Sequence, residues 1–403
     1  MFKERFLKYV SFDTQSNDAS ETIPSTLKQR KLGEYLTNEL HSLGVENAYL
    51  DEFGYVYGYI PTNCNKETTL GLIAHMDTSD EASGANIHPQ FVNNYQGQVI
   101  KLNDTMSLDP KEFPRLLKQI GHDLITTDGT TLLGADDKSG VAIIMTIVEL
   151  IHTKNIQHPN LIVTFTPDEE VGRGTLKFNY KYYKEHNCSL AYTLDGGEPE
   201  FINYENFNAA SAKVTITGKS IHPGSAKNTM INSMLIGMEF NSMLPAGMIP
   251  SLTADHEGFN HLTDINGTCS ETTLNYIIRN HDSKIFETQK QQFLDIKDFL
   301  NKKYGHELVK VEINDSYYNM KELILKNPIL LDVAEQAIKN VGLVPVYDPI
   351  RGGTDGAHLT YDGILTPNLG TGGQNYHGPY EYLDLNEAES MINIVQEIFK
   401  LLK

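Results

Sequence analysis

Short apolar runs alternate with helical stretches along the first half of the chain, and this alternation restricts the fold more than any other feature. The runs 70–74, 161–166 and 190–194 have the length and composition of buried strands. Residues 141–152 read as an apolar helix, and leucines recur at helical spacing through 25–43. Strands that alternate with helices favour an α/β fold in which helices flank a mixed sheet.

After about residue 206 the pattern changes to that of a smaller α+β unit. The predicted strands are 212–217, 272–279 and 308–313, and the predicted helices are 228–240 and 287–304. This arrangement indicates an inserted ferredoxin-like domain of β-α-β-β-α-β order. We therefore expect a discontinuous main domain at 1–206 and 320–403 and an inserted domain at 207–319.

The composition is that of an acidic globular protein. Of 403 residues, 33 are Lys or Arg and 52 are Asp or Glu, which gives a formal net charge of −19. Nucleic-acid binding needs an excess of cations, so we expect no nucleic-acid partner. The apolar run 141–151 is too short to span a bilayer, and residues 1–15 lack a signal-peptide core, so we expect no membrane partner. Three scattered cysteines, Cys64, Cys188 and Cys269, favour a reducing compartment, and the expected location is cytoplasmic.

Acidic residues and histidines follow the predicted strands, where open α/β sheets bind ligands. In LGLIAHMDT, strand periodicity puts His75 and Asp77 on one side, where His75 could bind a metal and Asp77 could orient it. A polar strand end is the alternative. In TTLLGADDKSG, Asp136 and Asp137 precede the predicted helix. One aspartate could simply cap that helix, whereas the pair also suits a carboxylate that bridges two cations.

Three further segments carry the same kinds of residue. Glu169 and Glu170 in TPDEEVG repel each other unless a cation or a proton separates them. One of them could bind metal while the other holds an attacking water, and a solvated pair in a loop is the alternative. Asp195 precedes two glycines, as in an ordinary turn. His377 lies in a glycine-rich loop, where a lone histidine is usually incidental.

Together these segments offer two histidines and at least three carboxylates, a nitrogen and oxygen donor set that suits zinc or a similar divalent ion. Mononuclear zinc enzymes need only three protein ligands, so the surplus of carboxylates favours two metals. The sequence has no HExxH motif. It also has neither a GxGxxG motif nor a P-loop, which argues against a nucleotide-binding sheet.

Several longer motifs occur in the order found in one known family. They are HMDT, GTTLLGADDKSG, TPDEEVGRG, YTLDGGEPE, HPGSAKN, RGGTDGAHLT and NYHGPYE. With them the chain resembles, over nearly its whole length, the peptidase T family of tripeptide aminopeptidases. That family is one of the co-catalytic zinc peptidases, which also include carboxypeptidase G-like enzymes and acetylornithine deacetylase.

The resemblance implies a centre of two Zn²⁺ ions per subunit. His75, Asp136 and Asp195 would hold one zinc. Glu170 and His377 would hold the other, with Asp136 as the bridge. None of these positions departs from the family pattern. Carboxylate-rich sites also accept Mn²⁺ or Co²⁺.

The resemblance also implies the residues that act on the substrate. Glu169 would be the general base and later the proton donor, and Asp77 an accessory catalytic aspartate. The inserted domain would be a lid that brings His222 over the metals to stabilise the oxyanion. Without the resemblance, a histidine in a turn would explain His222 better. Arg279 and Arg351 are candidates for binding a peptide carboxylate through paired hydrogen bonds, with structural ion pairs as the alternative.

The implied function is metal-dependent hydrolysis of the bond after the first residue of a tripeptide, by a metal-bound water that a glutamate activates. A related di-zinc dipeptidase, carboxypeptidase or N-acyl amino acid deacylase would share the core motifs and differ in the lid and the pocket. A catalytically dead binding protein would have lost Glu169 or a ligand, and none is lost. The expected partner is a short peptide. Some relatives pair through the edge of the lid sheet and others work alone; of these two states we favour a homodimer.

Overall fold

The computed structural model describes residues Met1–Leu402. They divide into two compact units. The first unit comprises Met1–Tyr204, Glu322–Asp348 and the chain from Thr354 onward, and the second comprises Glu205–Lys321 and Pro349–Gly353. Within the described residues, none of the helices combines the length and the apolar character that crossing a membrane requires.

Strands and helices are numbered in chain order. The strands are β1 (Tyr49–Leu50), β2 (Val56–Ile60), β3 (Thr69–His75), β4 (Gln90–Val92), β5 (Ile100–Lys101), β6 (Ser107–Leu108), β7 (Leu124–Thr126), β8 (Asn160–Thr166), β9 (Leu190–Leu194), β10 (Phe201–Asn203), β11 (Asn208–Thr217), β12 (Phe259–Gly267), β13 (Glu271–Asn280), β14 (Val309–Tyr317), β15 (Val346–Tyr347), β16 (Asn368–Leu369), β17 (Gly373–Gln374) and β18 (Tyr382–Asp384). The helices are α1 (Phe2–Val10), α2 (Gln29–Ser42), α3 (Ala135–Lys154), α4 (Tyr180–Glu185), α5 (Ser233–Met243), α6 (Ser283–Tyr304), α7 (Lys321–Ile324), α8 (Ile329–Asn340), α9 (Asp355–Tyr361) and α10 (Leu385–Leu401). Short 3₁₀ helices span Pro114–Gln119, Pro223–Ser225 and Pro250–Leu252.

The first unit is built on an eight-stranded sheet in the order β1-β2-β8-β3-β9-β16-β10-β15. The central strands β8, β3 and β9 are parallel, whereas β2 runs antiparallel to β8, so the sheet is mixed. Every residue of β3 is buried, as expected for a parallel strand that is covered on both faces. The predicted α/β fold with a mixed sheet is confirmed.

The helix α3 packs against β3 and is almost completely buried. All residues from Val141 to Val148 are buried, because the sheet, α1 and α10 all contact this helix. A helix that is covered on every side does not need a polar face. This burial explains why the sequence shows a continuous apolar run there.

A second, smaller sheet in the first unit has the order β17-β18-β7-β4, and all its strand pairs are antiparallel. The loop 375–381 connects β17 to β18, and α10 follows β18 directly. The side chain of Asp384 accepts the N–H groups of Asn386 and Glu387 and so caps α10.

The second unit is a four-stranded antiparallel sheet in the order β12-β13-β11-β14, with α5 and α6 packed against it. Its elements follow one another as β11-α5-β12-β13-α6-β14, which is the predicted β-α-β-β-α-β order. Side chains from the sheet and both helices form its core, among them Val214, Phe240, Leu274 and Phe293.

One helix of the second unit begins later than its sequence pattern indicated. α5 spans Ser233–Met243 rather than 228–240. The side chain of Asn232 accepts the N–H of Met234 and so begins the helix at this point.

Candidate metal centre

Several polar segments of the first unit meet at one edge of its large sheet. β3 ends at His75, and β9 is followed by Asp195. The loop after β8 carries Glu169 and Glu170. Because β8, β3 and β9 are parallel neighbours, their carboxyl ends lie side by side. The first turn of α3 brings Asp136 against His75.

The His75 ring is held on one side and presents its other nitrogen to carboxylates. Its Nδ1 lies 3.2 Å from the backbone oxygen of Asp77 and 3.4 Å from Asp77 Oδ1. Its Nε2 lies 2.8 Å from Asp136 Oδ1 and 3.9 Å from Asp195 Oδ1. A histidine that binds a metal is normally oriented in this way, through the nitrogen that does not bind.

Asp136 lies between two histidines. Its Oδ1 faces His75, and its Oδ2 lies 3.5 Å from His377 Nε2. The same His377 nitrogen lies 2.8 Å from Glu170 Oε2. A carboxylate with one oxygen toward each histidine has the arrangement that a bridge between two cations needs.

Asp77 connects the two glutamates to His75. It is fully buried. Its Oδ1 accepts the N–H of Glu169 at 3.0 Å, and its Oδ2 accepts the N–H of Glu170 at 3.2 Å. Asp77 therefore holds both the His75 ring and the backbone of the loop after β8, which is the arrangement of a residue that orients ligands.

The side chains of Glu169 and Glu170 belong to different parts of the cluster. A carboxylate oxygen of Glu169 lies within 4.8 Å of ligand atoms of His75 and Asp195. A carboxylate oxygen of Glu170 lies within 4.8 Å of ligand atoms of His75 and Asp136, and its Oε2 faces His377. Adjacent glutamates thus reach separate positions, as different roles for them would require.

The electrostatics of the cluster reflect its crowding. Burial, with repulsion from Asp136, raises the pKa of Glu170 to about 7 and that of Asp195 to about 6. Burial and the charge of Asp195 hold the pKa of Glu169 well above its usual range. Hydrogen bonds to Asp136 and Glu170 raise the pKa of His377 to about 11. Burial would raise the pKa of Asp136, but hydrogen bonds from the histidines hold it below its usual value.

Carboxylates that are this close and this buried must be balanced by protons or by cations. The donor set combines two imidazole nitrogens with several carboxylate oxygens, which is the mixture that Zn²⁺ and similar divalent ions prefer. The residues therefore fit a pair of divalent cations.

Two further buried carboxylates hold the backbone of the site. Glu381 is 1% exposed and accepts three N–H groups from residues 133–136. Asp137 accepts the backbone N–H of His75 at 3.2 Å. Glu381 falls in the NYHGPYE motif, but the sequence predicted no role for it, and for Asp137 it predicted only a helix cap or a share in a bridging pair.

His222, Arg279 and Arg351 lie in the second unit. Each of them is hydrogen-bonded to other residues of that unit. His222 is exposed, and its Nδ1 accepts the N–H of Gly224 at 3.1 Å. Arg279 donates to two backbone oxygens at 3.2 and 3.0 Å. Arg351 donates to three backbone oxygens at 2.7, 2.9 and 3.4 Å and to the hydroxyl of Thr253 at 3.1 Å. The roles implied for these residues stay predictions.

Known protein structures share this fold. The aminopeptidase PepT from Bacillus cereus ATCC 10987 matches with a TM-score of 0.79 at 21% identity, over 100% of this chain and 98% of that one. A dinuclear metal-binding peptidase of the M20 family from Bacillus subtilis matches with a TM-score of 0.63 at 13% identity, over 100% and 98% of the two chains. At these identities the likeness concerns the fold alone.

Sequence relatives are closer. Residues 204–307 match a family described as a peptidase dimerisation domain. Peptidase T from Clostridium acetobutylicum is 48% identical over 402 residues, which are 99% of this chain and 98% of that protein. Peptidase T from Bacillus subtilis strain 168 is 46% identical over 98% of this chain and 97% of that protein. With nearly half of its residues shared from end to end, the chain belongs to the peptidase T family.

Proposed function

We propose that the chain is a cytoplasmic metallopeptidase that uses two Zn²⁺ ions to remove the N-terminal residue from tripeptides. The position of Asp136 between His75 and His377, with a carboxylate of Glu169 near His75 and Asp195, is the observation that carries this proposal. Full-length identity of close to half with proteins named Peptidase T supports the substrate class. The role fits peptide catabolism, in which short peptides are the expected partners.

The assignment of metal ligands follows the donor atoms. His75, Asp136 and Asp195 would hold one Zn²⁺. Glu170 and His377 would hold the second, and Asp136 would be shared between the two. Bound divalent cations supply Lewis-acid chemistry, because they polarise a carbonyl and lower the pKa of water. Mn²⁺ and Co²⁺ suit the same carboxylate-rich donors.

Glu169 is the proton carrier in this proposal. A general base must accept a proton from the attacking water and then donate it to the leaving amine. Burial and the nearby Asp195 raise the pKa of Glu169, so its carboxyl group holds a proton more readily than an exposed glutamate does. Asp77 positions the centre, because it fixes the His75 ring and the backbone N–H groups of both glutamates.

Three residues of the second unit have roles that rest on the family resemblance. His222 stabilises the oxyanion, and one such donor contributes about 3–4 kcal/mol. Arg351, in the glycine-rich RGGTDG segment, and Arg279 are the candidates for binding the peptide carboxylate.

The main domain at 1–206 and 320–403 would be catalytic, and the inserted domain at 207–319 would serve as lid and dimerisation domain.

The oligomeric state and the compartment are also proposals. The match of residues 204–307 to a peptidase dimerisation domain supports a homodimer. Cys64, Cys188 and Cys269 are all free thiols, and unpaired cysteines fit the reducing cytoplasm.

Hydrolysis of trialanine, dialanine and N-acetyl-trialanine tests the function. We expect zinc-loaded protein to release one alanine from trialanine and to leave the other two peptides intact. Glu169→Gln should lower kcat by about 10²- to 10⁴-fold, because the general base is removed while its shape is kept. The exposed Glu46 provides the matched control Glu46→Gln, which should behave as the wild type.

Other outcomes would redirect the proposal. Preferred cleavage of dialanine or of the acetylated peptide would identify a sister dipeptidase, carboxypeptidase or deacylase with the same centre. Full activity of Glu169→Gln would remove Glu169 from its role. No hydrolysis of any peptide by metal-loaded protein would favour a binding protein instead.

A further inference from the structure

A second group of metal-ligating side chains lies at the N-terminal end of α10. His122, Asp384 and Glu387 each offer one ligand atom, and these atoms lie within 4.8 Å of one another. His122 precedes β7, Asp384 ends β18, and Glu387 lies in the first turn of α10. None of these residues belongs to the candidate metal centre.

The histidine and the aspartate of this group are hydrogen-bonded to each other. His122 Nδ1 lies 2.6 Å from Asp384 Oδ2. The other oxygen of Asp384 accepts the N–H groups of Asn386 and Glu387, at 2.9 and 3.0 Å. Since these two bonds fix the fully buried Asp384 carboxylate, its Oδ2 is held facing His122.

Glu387 supplies an oxygen without a partner. The residue is 7% exposed. Its Oε1 accepts a hydrogen bond from Arg115 Nη2 at 2.5 Å. Its Oε2 is buried and makes no hydrogen bond within the described chain. Buried carboxylate oxygens nearly always have a partner, so the His122–Asp384 hydrogen bond and the Arg115–Glu387 ion pair do not account for this cluster completely.

The surrounding charge favours a cation. Besides Glu387, Arg115 has Glu198 at 3.2 Å and Glu200 at 4.0 Å from its guanidinium nitrogens. With Glu387, three carboxylates therefore surround one arginine. An anion would be repelled by this excess, whereas a divalent cation would reduce it.

Two of the three residues, His122 and Glu387, also border a cavity. A cavity of about 520 Å³ is lined by His122 and Glu387 together with Arg115, Lys118 and Glu200. An ion can therefore reach the cluster without unfolding of the chain.

We propose that His122, Asp384 and Glu387 bind an additional divalent cation, separate from the peptidase centre. One imidazole nitrogen with two carboxylate oxygens suits Zn²⁺, Co²⁺ or Mn²⁺. Arg115 orients Glu387 from outside the site, as residues around metal ligands commonly do. The ion ties β7, β18 and α10 together. It therefore stabilises the base of the β17–β18 hairpin whose loop carries His377.

Counting bound ions tests the proposal, and the count does not depend on peptidase activity. Full-length protein is loaded with Zn²⁺ or Co²⁺, freed of unbound metal and measured by elemental analysis. We expect His122→Ala to lose one ion per chain relative to the wild type. His75→Ala/His377→Ala, in which the peptidase centre is disabled, should still bind one ion, and adding His122→Ala should abolish it.

Two further variants make the result specific. The exposed His306 provides the control His306→Ala, which should bind as many ions as the wild type. Glu387→Gln keeps the shape of the side chain and should also lose one ion, which covers the case in which His122→Ala fails to fold.

In the His75→Ala/His377→Ala protein, Zn²⁺ should raise the unfolding temperature, and Glu387→Gln should remove that rise. Unchanged ion counts in His122→Ala and Glu387→Gln would overturn the proposal and leave the cluster as one hydrogen bond and one ion pair.

Discussion

Asp77 accepts the backbone N–H of Glu169 at 3.0 Å, so the proposed positioning residue is bonded directly to the proposed base. The other carboxylate oxygen of Asp77 accepts the N–H of Glu170 at 3.2 Å. The buried side chain of Asp77 thereby fixes the backbone of the loop that carries both the proposed base, Glu169, and the proposed metal ligand, Glu170. This relationship makes the loop after β8 sensitive to a change of a single atom in Asp77.

Asp77→Asn should lower both metal affinity and kcat by about 10- to 100-fold. The amide nitrogen cannot accept a hydrogen bond, so one of the two glutamate N–H groups would face another donor. Zinc titration and steady-state kinetics on trialanine measure the two effects. An Asp77→Asn enzyme with wild-type zinc affinity and kcat would show that this contact does not position the centre.

Asp136→Asn and Asp195→Asn should differ in how many ions they release. In the proposal, Asp136 is shared between the two cations, so Asp136→Asn should bind neither ion. Asp195→Asn should lose only one of the two ions. Elemental analysis after dialysis against a weak chelator gives the counts. Equal losses in the two variants would contradict the bridging role of Asp136.

Gly140→Ala should destabilise the protein, although alanine normally stabilises a helix. A Cβ at Gly140 would lie 2.0 Å from the backbone oxygen of Leu194 and 2.6 Å from Asp137 Oδ1. The helix α3 would have to move away from β9, at a cost of about 1–3 kcal/mol. Because Leu194 precedes Asp195, zinc affinity should fall as well. Chemical denaturation and zinc titration measure both effects.

The control for this substitution is Gly247→Ala. A Cβ at Gly247 would meet no atom within 4 Å. The free energy of unfolding of Gly247→Ala should therefore stay within about 0.5 kcal/mol of the wild type. A Gly140→Ala protein as stable as this control would mean that α3 and β9 separate without cost.

Glu205→Gln should lower stability at neutral pH but not in acid. Burial by itself would raise the pKa of Glu205. The hydrogen bonds from Lys321 and His256 outweigh burial and hold this pKa below its usual value of 4.5. A carboxyl group with a depressed pKa in the folded state stabilises the protein above its unfolded-state pKa. That contribution is lost as pH falls through the lower folded-state pKa. Lys321 and His256 are both partly exposed, so we expect a loss of about 1 kcal/mol at pH 7.

Thermal unfolding at several pH values checks this prediction. The difference between the wild type and Glu205→Gln should shrink below about pH 4. Glu46→Gln, at an exposed position, serves as the control and should show no such difference. If the difference in unfolding temperature between the wild type and Glu205→Gln stays constant from neutral to acid pH, the ionised carboxylate is not its cause.

Local sequence patterns were sufficient for the main elements. The predicted strand 190–194 coincides with β9, and 70–74 and 161–166 fall within β3 and β8. These strands are buried on both faces, so their apolar runs are continuous and easily recognised. Helix starts were less predictable, because they depend on single caps. The side chain of Asn232 begins α5 five residues after the predicted position.

The family and the candidate ligands were also readable from the chain alone. Motifs such as HMDT and NYHGPYE are contiguous stretches, and full-length similarity to Peptidase T proteins confirmed the resemblance that they indicated. Residues directly after strands were recognisable as candidates, because the carboxyl ends of parallel strands gather at one sheet edge.

The sequence by itself determined the α/β fold, the inserted domain and the residue types of the centre, because these depend on local periodicity and on contiguous motifs. Only the tertiary structure decided which atoms meet. His377 reaches Asp136 because β17, β18 and β7 pair as one sheet, and the same pairing brings His122 to Asp384. The burial of Glu381 and the free oxygen of Glu387 likewise arise from packing. Contacts between segments hundreds of residues apart depend on how the whole chain folds, and no local pattern encodes them.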